Sequence, residues 1–552
     1  MIAEPNRGAD LPAIESLTLA QQVAQMVVVR ASGHLFDREI RYPDWEPTAA
    51  TLEHLVTDVG VGGVILLRGS AAEISLRSQQ LQTWADIPLL IAADIEEGVG
   101  QRFSGATWFP PPLALNAIAQ RDRPQQAIYY AEQMGAWTAQ EALAIGLNWV
   151  LAPVVDVNNN ADNPVINVRA FGETPEMVSE LAAAYIRGAQ SYPVLTAAKH
   201  FPGHGDTAVD SHLHLPVLHH SPERLMEIER PPFAAAIAAG VDAVMSAHLL
   251  IDCWDKQFPA TLSPRILTEE LRQGLEFAGL IVTDALVMGA IANRYGPNEA
   301  AVLAVEAGAD ILLMPFDPAG AVEAVCKAVE SGRITAHRIR QSLARIWQAK
   351  QKVLTSLPTN YNQQPQNLTL QTIDKLAQPA AWATANAILN DSLQTCGTLP
   401  WHPVEGQPHH NVIVVDDLLN CNFLDFASPA IALPEQRGFA TQLCDCHTTE
   451  TSILSLESQP TLLQLFIRGN PFRGSAGLTK VAEIWLKHLL KSGQLAALAV
   501  YGSPYIWHQF SKQLPERIPG AFSYGQMPEA QAVALGTLLV PSSPSRSKSV
   551  FE

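Results

Sequence analysis

The 552-residue chain is poor in cysteine and shows no pairing pattern for the cysteines it has. They are Cys253, Cys326, Cys396, Cys421, Cys444 and Cys446, and none of them forms a C-x-x-C pair. Scattered cysteines in a long chain are typical of reduced thiols rather than of a disulfide framework. We therefore expect a cytoplasmic protein, in which the Asn367-Leu368-Thr369 glycosylation sequon is a chance match.

Basic charge and long apolar runs are also scarce. The chain has 36 Lys and Arg against 54 Asp and Glu, which gives a net charge of -18. This charge opposes binding to nucleic acid or to anionic lipid, because the summed field repels phosphate. The N-terminus lacks the basic start and apolar run of a secretory signal, and no later run suits a membrane span. We expect neither a nucleic-acid partner nor a membrane partner.

What the first part of the chain does contain is a regular alternation of short apolar runs with longer amphipathic stretches. Eight runs are predicted strands: Gln22–Val29, Gly63–Leu67, Leu89–Ala93, Trp149–Val155, Val194–Lys199, Ala243–Ala247, Leu280–Thr283 and Asp310–Met314. Between them, Gln125–Gly146 and Pro175–Gln190 have helical spacing. Eight βα repeats favour an N-terminal (β/α)₈ barrel of the TIM type over an open doubly wound sheet, which usually has five or six strands.

The second part of the chain predicts a smaller α/β sandwich domain. Strand candidates are Val412–Val415, Leu462–Ile467 and Ala496–Tyr501, and helix candidates are Ile373–Leu389 and Thr479–Leu490. A polar, proline-containing stretch separates them from the barrel. The predicted domains are a catalytic barrel at 1–355, a linker at 356–370, a sandwich at 371–540 and a disordered tail at 541–552. Asp416 and Asp417 end one of the strands and suit a helix cap or a turn.

Polar residues end several of the barrel runs. They are Asp94, Asp156, Lys199, His200, His248 and Asp284. The C-terminal ends of barrel strands converge on one mouth, where the active sites of this fold lie. We therefore expect these side chains to face a single pocket.

The loop after the fifth run is rich in histidine. It reads Lys199-His200-Phe201-Pro202-Gly203-His204-Gly205-Asp206-Thr207-Ala208-Val209-Asp210-Ser211-His212. A carboxylate two residues from an imidazole can fix the ring tautomer, so Asp210 and His212 suit an acid/base pair. His212 and His214 with nearby aspartates also suit a metal site, and the residues alone leave both readings open.

A single carboxylate follows the seventh run. Asp284 comes directly after Leu280–Thr283 and before apolar residues. A carboxylate held in this way can attack an anomeric carbon and stabilise an oxocarbenium ion. It can equally cap the next helix.

These motifs together resemble family 3 glycoside hydrolases, and in particular their bacterial β-N-acetylglucosaminidase branch. The resemblance rests on the loop that ends in Asp210-Ser211-His212, on Thr283-Asp284-Ala285-Leu286, and on matches that extend from about Leu17 to Val353. It implies a (β/α)₈ barrel, no metal and no cofactor. It also implies a carbohydrate substrate, namely terminal β-linked N-acetylglucosamine on cell-wall muropeptide fragments.

The resemblance also implies residue roles. Asp284 matches the nucleophile, and His212 with Asp210 matches the acid/base pair. The matches to substrate-binding positions are Asp94, Arg102, Arg169, Lys199, His200, Met245 and His248.

One loop departs from the family pattern. Family members read Asp-x-Glu-Gly-Gly after the third strand, whereas here Glu97 replaces the first glycine. If that glycine needs a positive φ, the loop that carries Arg102 must be built differently. Alternative functions are a phosphorylase or β-glucosidase of the same family, a metal-dependent hydrolase, and a sugar-binding protein that has lost catalysis.

Overall fold

The computed structural model describes residues 11–207, 215–354, 374–404, 406–445, 447, 459–468 and 480–539. Its described residues form two compact units, and the chain passes from one to the other between Ala385 and Asn386. This boundary lies inside the helix Pro379–Ser392. The predicted linker and the predicted tail lie outside the described residues, so they stay predictions.

The first unit is a (β/α)₈ barrel, as predicted. Its parallel strands are β1 (Val27–Ser32), β2 (Gly63–Leu67), β3 (Leu90–Ala93), β4 (Trp149–Val150), β5 (Leu195–Phe201), β6 (Ala243–Ser246), β7 (Leu280–Val282) and β8 (Leu312–Leu313). They form one eight-stranded sheet in ring order, with β8 paired to β1. A single bridge between Val282 and Ile311 joins β7 to β8 and closes the ring.

Helices follow the strands around the barrel. They are Leu19–Ala24, Ala49–His54, Ala71–Trp84, Leu113–Ala119, Pro124–Ala144, Pro175–Ala189, Pro222–Arg224, Arg230–Ala238, Gly289–Tyr295, Pro297–Ala307, Pro318–Glu330 and Ala336–Leu354. Three π-helical segments, Leu55–Val59, Leu225–Glu229 and Arg265–Gln273, complete this layer. The strands are buried because helices cover the sheet, which is why they are Val-, Ile- and Ala-rich with little polar alternation.

Three predicted strands were wrong in extent, among them Asp310–Met314, which is strand only at Leu312–Leu313. The run Gln22–Val29 is helical in its first half, because Thr18 and Gln21 form a capping box that starts the helix Leu19–Ala24. The run Trp149–Val155 is strand only at Trp149–Val150. Pro153 has no N–H to donate, so the ladder is interrupted there, although Val154 still bridges to Lys199 and the Val155 N–H donates to the Lys199 oxygen.

The second unit is an α/β domain with a six-stranded sheet. Its strands are β9 (Gln394–Cys396), β10 (His409–Val415), β11 (Phe439–Cys444), β12 (Thr461–Ile467), β13 (Leu495–Gly502) and β14 (Gly520–Ser523), in the order β9-β14-β13-β12-β10-β11. Only the β9–β14 pair of this sheet is antiparallel. Its helices are Pro429–Glu435, Lys480–Lys491, Pro504–Ser511 and Pro528–Leu538.

The predicted role of the aspartates after β10 is confirmed for one of them. Asp417 accepts a hydrogen bond from the backbone N–H of Leu419 at 3.0 Å and caps the short turn Leu418–Asn420. A carboxylate engaged in this way stabilises the unpaired N–H groups at the start of a turn.

Candidate active site at the barrel mouth

Strand register places two of the predicted site residues on the same face of the barrel sheet. Lys199 on β5 lies opposite Met245 on β6, and Met245 lies opposite Val282 on β7. Partners on neighbouring strands share a face, and side chains alternate between faces along each strand. Asp284 lies two residues beyond Val282, at the mouth end of β7. The sequence therefore brings Lys199, Met245 and Asp284 to one side of the sheet.

Four charged side chains form a network at the mouth. The Lys199 Nζ lies 2.8 Å from Asp94 Oδ1 and 2.6 Å from Glu96 Oε1. Arg169 donates from Nε and Nη2 to the two Glu96 oxygens, both at 2.7 Å. The side chains of Lys199 and Glu96 are 2% and 3% exposed, whereas that of Asp94 is 29% exposed. Asp94 is thus held by a buried cation and remains accessible to a ligand.

The ion pairs of the network shift the pKa values of Glu96 and Lys199. Burial acts to raise the pKa of Glu96, but Arg169 and Lys199 outweigh it and hold that pKa well below its usual range. Burial acts to lower the pKa of Lys199, but Asp94 and Glu96 outweigh it and raise that pKa. Fixed charges in a partly dry site make strong, directional hydrogen bonds to hydroxyl groups.

The altered loop after β3 accommodates Glu97 without strain. The positive φ of +87° falls on Gly98, where an added Cβ would lie 2.8 Å from both the Phe109 ring and the Thr107 carbonyl oxygen. Glu97 is fully buried and accepts a hydrogen bond from Trp108 Nε1 at 3.0 Å. The replacement therefore adds a buried contact at a position that does not require glycine.

Arg102 follows this loop with an exposed side chain. Its Nε donates to the backbone oxygen of Asp94 at 3.0 Å. The Arg102 side chain is therefore held against the backbone of Asp94.

Asp156 organises two histidines of the predicted loop. Its buried carboxylate accepts hydrogen bonds from His200 Nδ1 at 2.8 Å and from the backbone N–H groups of His200 and His204 at 3.1 and 2.7 Å. A carboxylate can only accept, so Nδ1 of His200 carries the proton and Nε2 is left as an acceptor. Asp156 thereby sets both the tautomer and the orientation of His200.

We expect His204 to remain neutral until strongly acidic pH. Burial lowers the pKa of His204 from 6.5 to about 4, although Asp156 acts in the opposite direction. Because the folded-state pKa is depressed, the contribution of His204 to stability is present above pH 6.5 and is lost as the pH falls to about 4. Imidazole NMR signals, assigned with a His204→Gln variant, should show this titration. A His204 signal that titrates above about pH 6 would contradict the burial effect.

Asp284 and His248 both bond to the backbone of Ala285, through the two peptide groups that flank it. Asp284 Oδ1 accepts the N–H of Ala285 at 2.7 Å, and His248 Nε2 donates to the Ala285 carbonyl oxygen at 3.0 Å. His248 Nδ1 lies 2.8 Å from Thr261 Oγ1, and the His248 side chain is fully buried. His248 therefore contacts the backbone beside Asp284 with both ring nitrogens engaged, so it supports the position of that carboxylate.

The predicted acid/base residues Asp210 and His212 lie outside the described residues, as does His214 of the metal reading. Hydrogen bonds and strand pairing hold the described residues on either side of this segment. Asn163 Nδ2 donates to the carbonyl oxygens of His204 and Gly205, both at 2.8 Å. On the far side, Val217–Leu218 pairs with Leu250–Ile251. The roles of Asp210 and His212 remain predictions.

Comparison with known proteins identifies the family. Residues 18–349 match the glycosyl hydrolase family 3 N terminal domain, and residues 403–540 match the bacterial glycosyl hydrolase family 3 C-terminal domain. The chain belongs to glycosyl hydrolase family 3.

Curated relatives match part of the chain. The chain is 34% identical over 333 residues to beta-hexosaminidase A of Pseudoalteromonas piscicida, an alignment that covers 55% of each protein. It is 30% identical over 376 residues to a beta-N-acetylglucosaminidase/beta-glucosidase of Cellulomonas fimi, covering 66% of this chain and 64% of the relative. The chain thus spans little more than half to two thirds of these relatives.

A solved family 3 structure matches almost the whole chain. It is the beta-N-acetylglucosaminidase from Paenibacillus sp. str. FPU-7, with a TM-score of 0.77 and 30% identity. The match covers 94% of this chain and 96% of that one.

Within this family 3 chain, sequence reasoning missed the partners of three site residues. Glu96 and His204 were given no role from the sequence, and Asp156 was expected at the pocket without a partner, although all three are buried and Glu96 and Asp156 hold predicted residues in place. Asp156 carried a signal, since it is a polar residue beyond a barrel strand. Glu96 and His204 stood inside the motifs that carry the resemblance, but nothing in their spacing indicated their partners.

Among the described residues, one group could hold a metal ion, formed by His34, Glu39 and Glu73. Glu73 Oε2 accepts hydrogen bonds from the Ser70 N–H and hydroxyl at 2.8 and 2.9 Å, so the carboxylate already caps a helix. The five cysteines in the described part of the chain are free thiols. No helix there is long and apolar enough to cross a membrane.

Proposed function

We propose that this chain is a retaining exo-β-N-acetylglucosaminidase that hydrolyses terminal β-linked N-acetylglucosamine. The proposal rests on one observation, the buried Lys199–Glu96–Arg169 network that presents Asp94 at the same barrel mouth as Asp284. The network offers fixed charges to the hydroxyls of one sugar, and Asp284 is a carboxylate that follows β7 at the same end of the barrel. The names of the aligned relatives support the choice of N-acetylglucosamine.

The proposed reaction has two steps. Asp284 attacks the anomeric carbon while His212 protonates the leaving oxygen, which gives a covalent glycosyl-enzyme. His212 then removes a proton from water, and the water displaces Asp284 with net retention. Asp210 orients the imidazole in both steps. Lys199 and Asp94 hold the sugar so that its anomeric carbon faces Asp284.

The proposal extends to the natural substrate and to the cellular location of the protein. We propose that the substrates are muropeptide fragments in which N-acetylglucosamine is β-linked to a muramic acid derivative, and that the protein is cytoplasmic. The free thiols of the described cysteines support a reducing compartment. The likeness of the histidine loop to the bacterial N-acetylglucosaminidase branch supports the substrate.

The first experiment measures turnover of 4-nitrophenyl β-N-acetylglucosaminide and follows the product by NMR. The proposal expects the β-anomer of free N-acetylglucosamine as the first product, in phosphate buffer as well as in other buffers. A sugar 1-phosphate as main product would identify a phosphorylase instead. Preference for the corresponding β-glucoside would indicate a β-glucosidase, and loss of activity with a chelator would indicate a metal-dependent hydrolase. No turnover at any pH would favour a sugar-binding protein.

We expect His212→Ala to affect substrates according to their leaving groups. A methyl glycoside needs protonation of its leaving oxygen, so its kcat/KM should fall by about 10²–10⁴-fold. A 2,4-dinitrophenyl glycoside leaves without protonation, so its kcat/KM should change little. His219→Ala is a matched control, because His219 lies in the same histidine-rich stretch with a side chain that is 76% exposed. Equal losses on both substrates would contradict an acid role for His212.

A further inference from the structure

Three buried side chains at the end of β6 meet at one hydroxyl group. Thr261 Oγ1 lies 2.9 Å from Ser246 Oγ and 3.0 Å from the Ala247 carbonyl oxygen. His248 Nδ1 lies 2.8 Å from the same hydroxyl oxygen. Ser246, His248 and Thr261 are fully buried. A buried polar group without a partner costs free energy, so each proton of this cluster can be assigned to an acceptor.

The Thr261 hydroxyl has a single proton to donate. The Ala247 carbonyl oxygen can only accept, so the Thr261 proton is directed to it. The Thr261 oxygen then acts as an acceptor for its two other neighbours. It accepts from the Ser246 hydroxyl, and it also accepts from His248 Nδ1. Nδ1 of His248 therefore carries a proton.

The second ring nitrogen of His248 also donates. Its Nε2 lies 3.0 Å from the Ala285 carbonyl oxygen, which again can only accept. A histidine ring with a proton on both nitrogens is a positively charged imidazolium. If His248 lost one of these protons, the carbonyl oxygen of Ala247 or of Ala285 would lose its hydrogen bond to this cluster. The hydrogen bonds therefore favour the charged ring.

The charged groups around His248 come from the strands on either side of β6. Asp284 follows β7, and its Oδ1 accepts the N–H of Ala285, the residue whose carbonyl oxygen His248 contacts. On the other side, β5 carries Lys199 and His200, and each of these is bonded to a carboxylate of its own. β6 and the 3₁₀ turn around the hydroxyl contain no titratable residue. An opposite charge favours the ionised form of a carboxylate, which is the form that attacks an anomeric carbon.

We propose that Thr261 is a positioning residue for the nucleophile. Its hydroxyl holds His248 as a doubly protonated ring, and this ring fixes the Ala285 carbonyl group and with it the backbone that carries Asp284. The inference rests on the proposed function, because it takes Asp284 as the nucleophile. A displacement of about 1 Å is enough to lower the rate of attack strongly, so a buried support for this backbone matters to the reaction.

The test removes the hydroxyl and keeps the shape of the side chain. In Thr261→Val we expect kcat/KM to fall about tenfold or more. The loss should be the same for the methyl and the 2,4-dinitrophenyl β-N-acetylglucosaminides, because the nucleophile attacks both whatever the leaving group. The inhibition constant of free N-acetylglucosamine should stay within about twofold, because the sugar-binding network is unchanged. Thr261→Ser keeps the hydroxyl and should retain kcat/KM within about threefold of the wild type.

Thr268→Val is the matched control. The Thr268 hydroxyl donates to the Ala307 carbonyl oxygen at 2.8 Å, so the same substitution removes the same kind of bond in the helical layer. Its kcat/KM should stay within about twofold of the wild type. Wild-type activity in Thr261→Val, or a Thr261→Ser variant as slow as Thr261→Val, would overturn the positioning role. A raised inhibition constant with an unchanged rate of attack would also overturn it, because Thr261 would then act on sugar binding.

The charge on His248 is measured in the wild-type protein, which makes this arm independent of how the variants fold. ¹⁵N NMR of histidine-labelled protein, assigned with His248→Gln, should show a proton on both ring nitrogens of His248 at neutral pH. A ring with one proton would overturn the proposed hydrogen-bond arrangement. Wild-type protein that hydrolyses neither glycoside would overturn the proposed function and the positioning role together, whereas the protonation of His248 is observed without turnover.

Discussion

Asp284→Asn is expected to lower kcat on a chromogenic β-N-acetylglucosaminide by about 10⁴-fold or more. An amide has the shape of the carboxylate but does not attack the anomeric carbon, and it provides no charge to stabilise the oxocarbenium ion. The hydrogen bond from the Ala285 N–H to Oδ1 can persist, since the Asn oxygen also accepts. KM and the denaturation midpoint should therefore change little.

Two further variants distinguish a nucleophilic role of Asp284 from a purely structural one. Asp284→Ala should regain turnover with added azide, and the product should be an α-glycosyl azide, because azide enters the space on the nucleophile's side. Asp58→Asn is the control, since its side chain is 69% exposed and lies in the helical layer between β1 and β2. Substantial activity in Asp284→Asn, or rescue without inversion, would assign Asp284 to another role.

Glu96→Gln should produce the second largest effect, on stability and on activity together. Glu96 is the buried carboxylate that both Arg169 and Lys199 contact, so its loss leaves two buried cations with incomplete pairing. Breaking a buried ion pair in this way costs about 3–5 kcal/mol. Chemical denaturation should show the lower free energy of unfolding, and kcat/KM should fall because Lys199 no longer holds Asp94 in place.

The pH dependence of this difference follows from the low pKa of Glu96. A depressed folded-state pKa means that the stabilisation is present above the unfolded pKa of about 4.3 and is lost as the pH falls through the folded-state value. The wild type and Glu96→Gln should therefore converge in stability on acidification. Glu53→Gln, an exposed carboxylate on the helix Ala49–His54, should match the wild type within about 0.5 kcal/mol. Equal stability of Glu96→Gln and wild type at neutral pH would mean that the network does not stabilise the fold.

The boundaries of strands and helices were predicted well where the hydrophobic pattern alone determined the local structure. Gly63–Leu67 was predicted to the residue, and the helices Pro124–Ala144 and Pro175–Ala189 were predicted to within two residues at each end. The prediction was wrong where a helix cap or a proline competed with the hydrophobic pattern. The capping box at Thr18 turned the start of one apolar run into a helix, and Pro153, which has no N–H to donate, interrupted the ladder of another run.

The sequence by itself determined the barrel, the family and the position of Asp284 after the seventh strand. These follow from apolar periodicity and from contiguous motifs, which are properties of neighbours along the chain. Only the tertiary structure shows which charged side chains form ion pairs and hydrogen bonds with one another. Lys199 meets Asp94 and Glu96, and Asp156 holds two histidines, across strands that are about 40 to 100 residues apart in the chain. Such pairs depend on the register of the closed sheet and on burial, which raises the energy of any charge left without a partner.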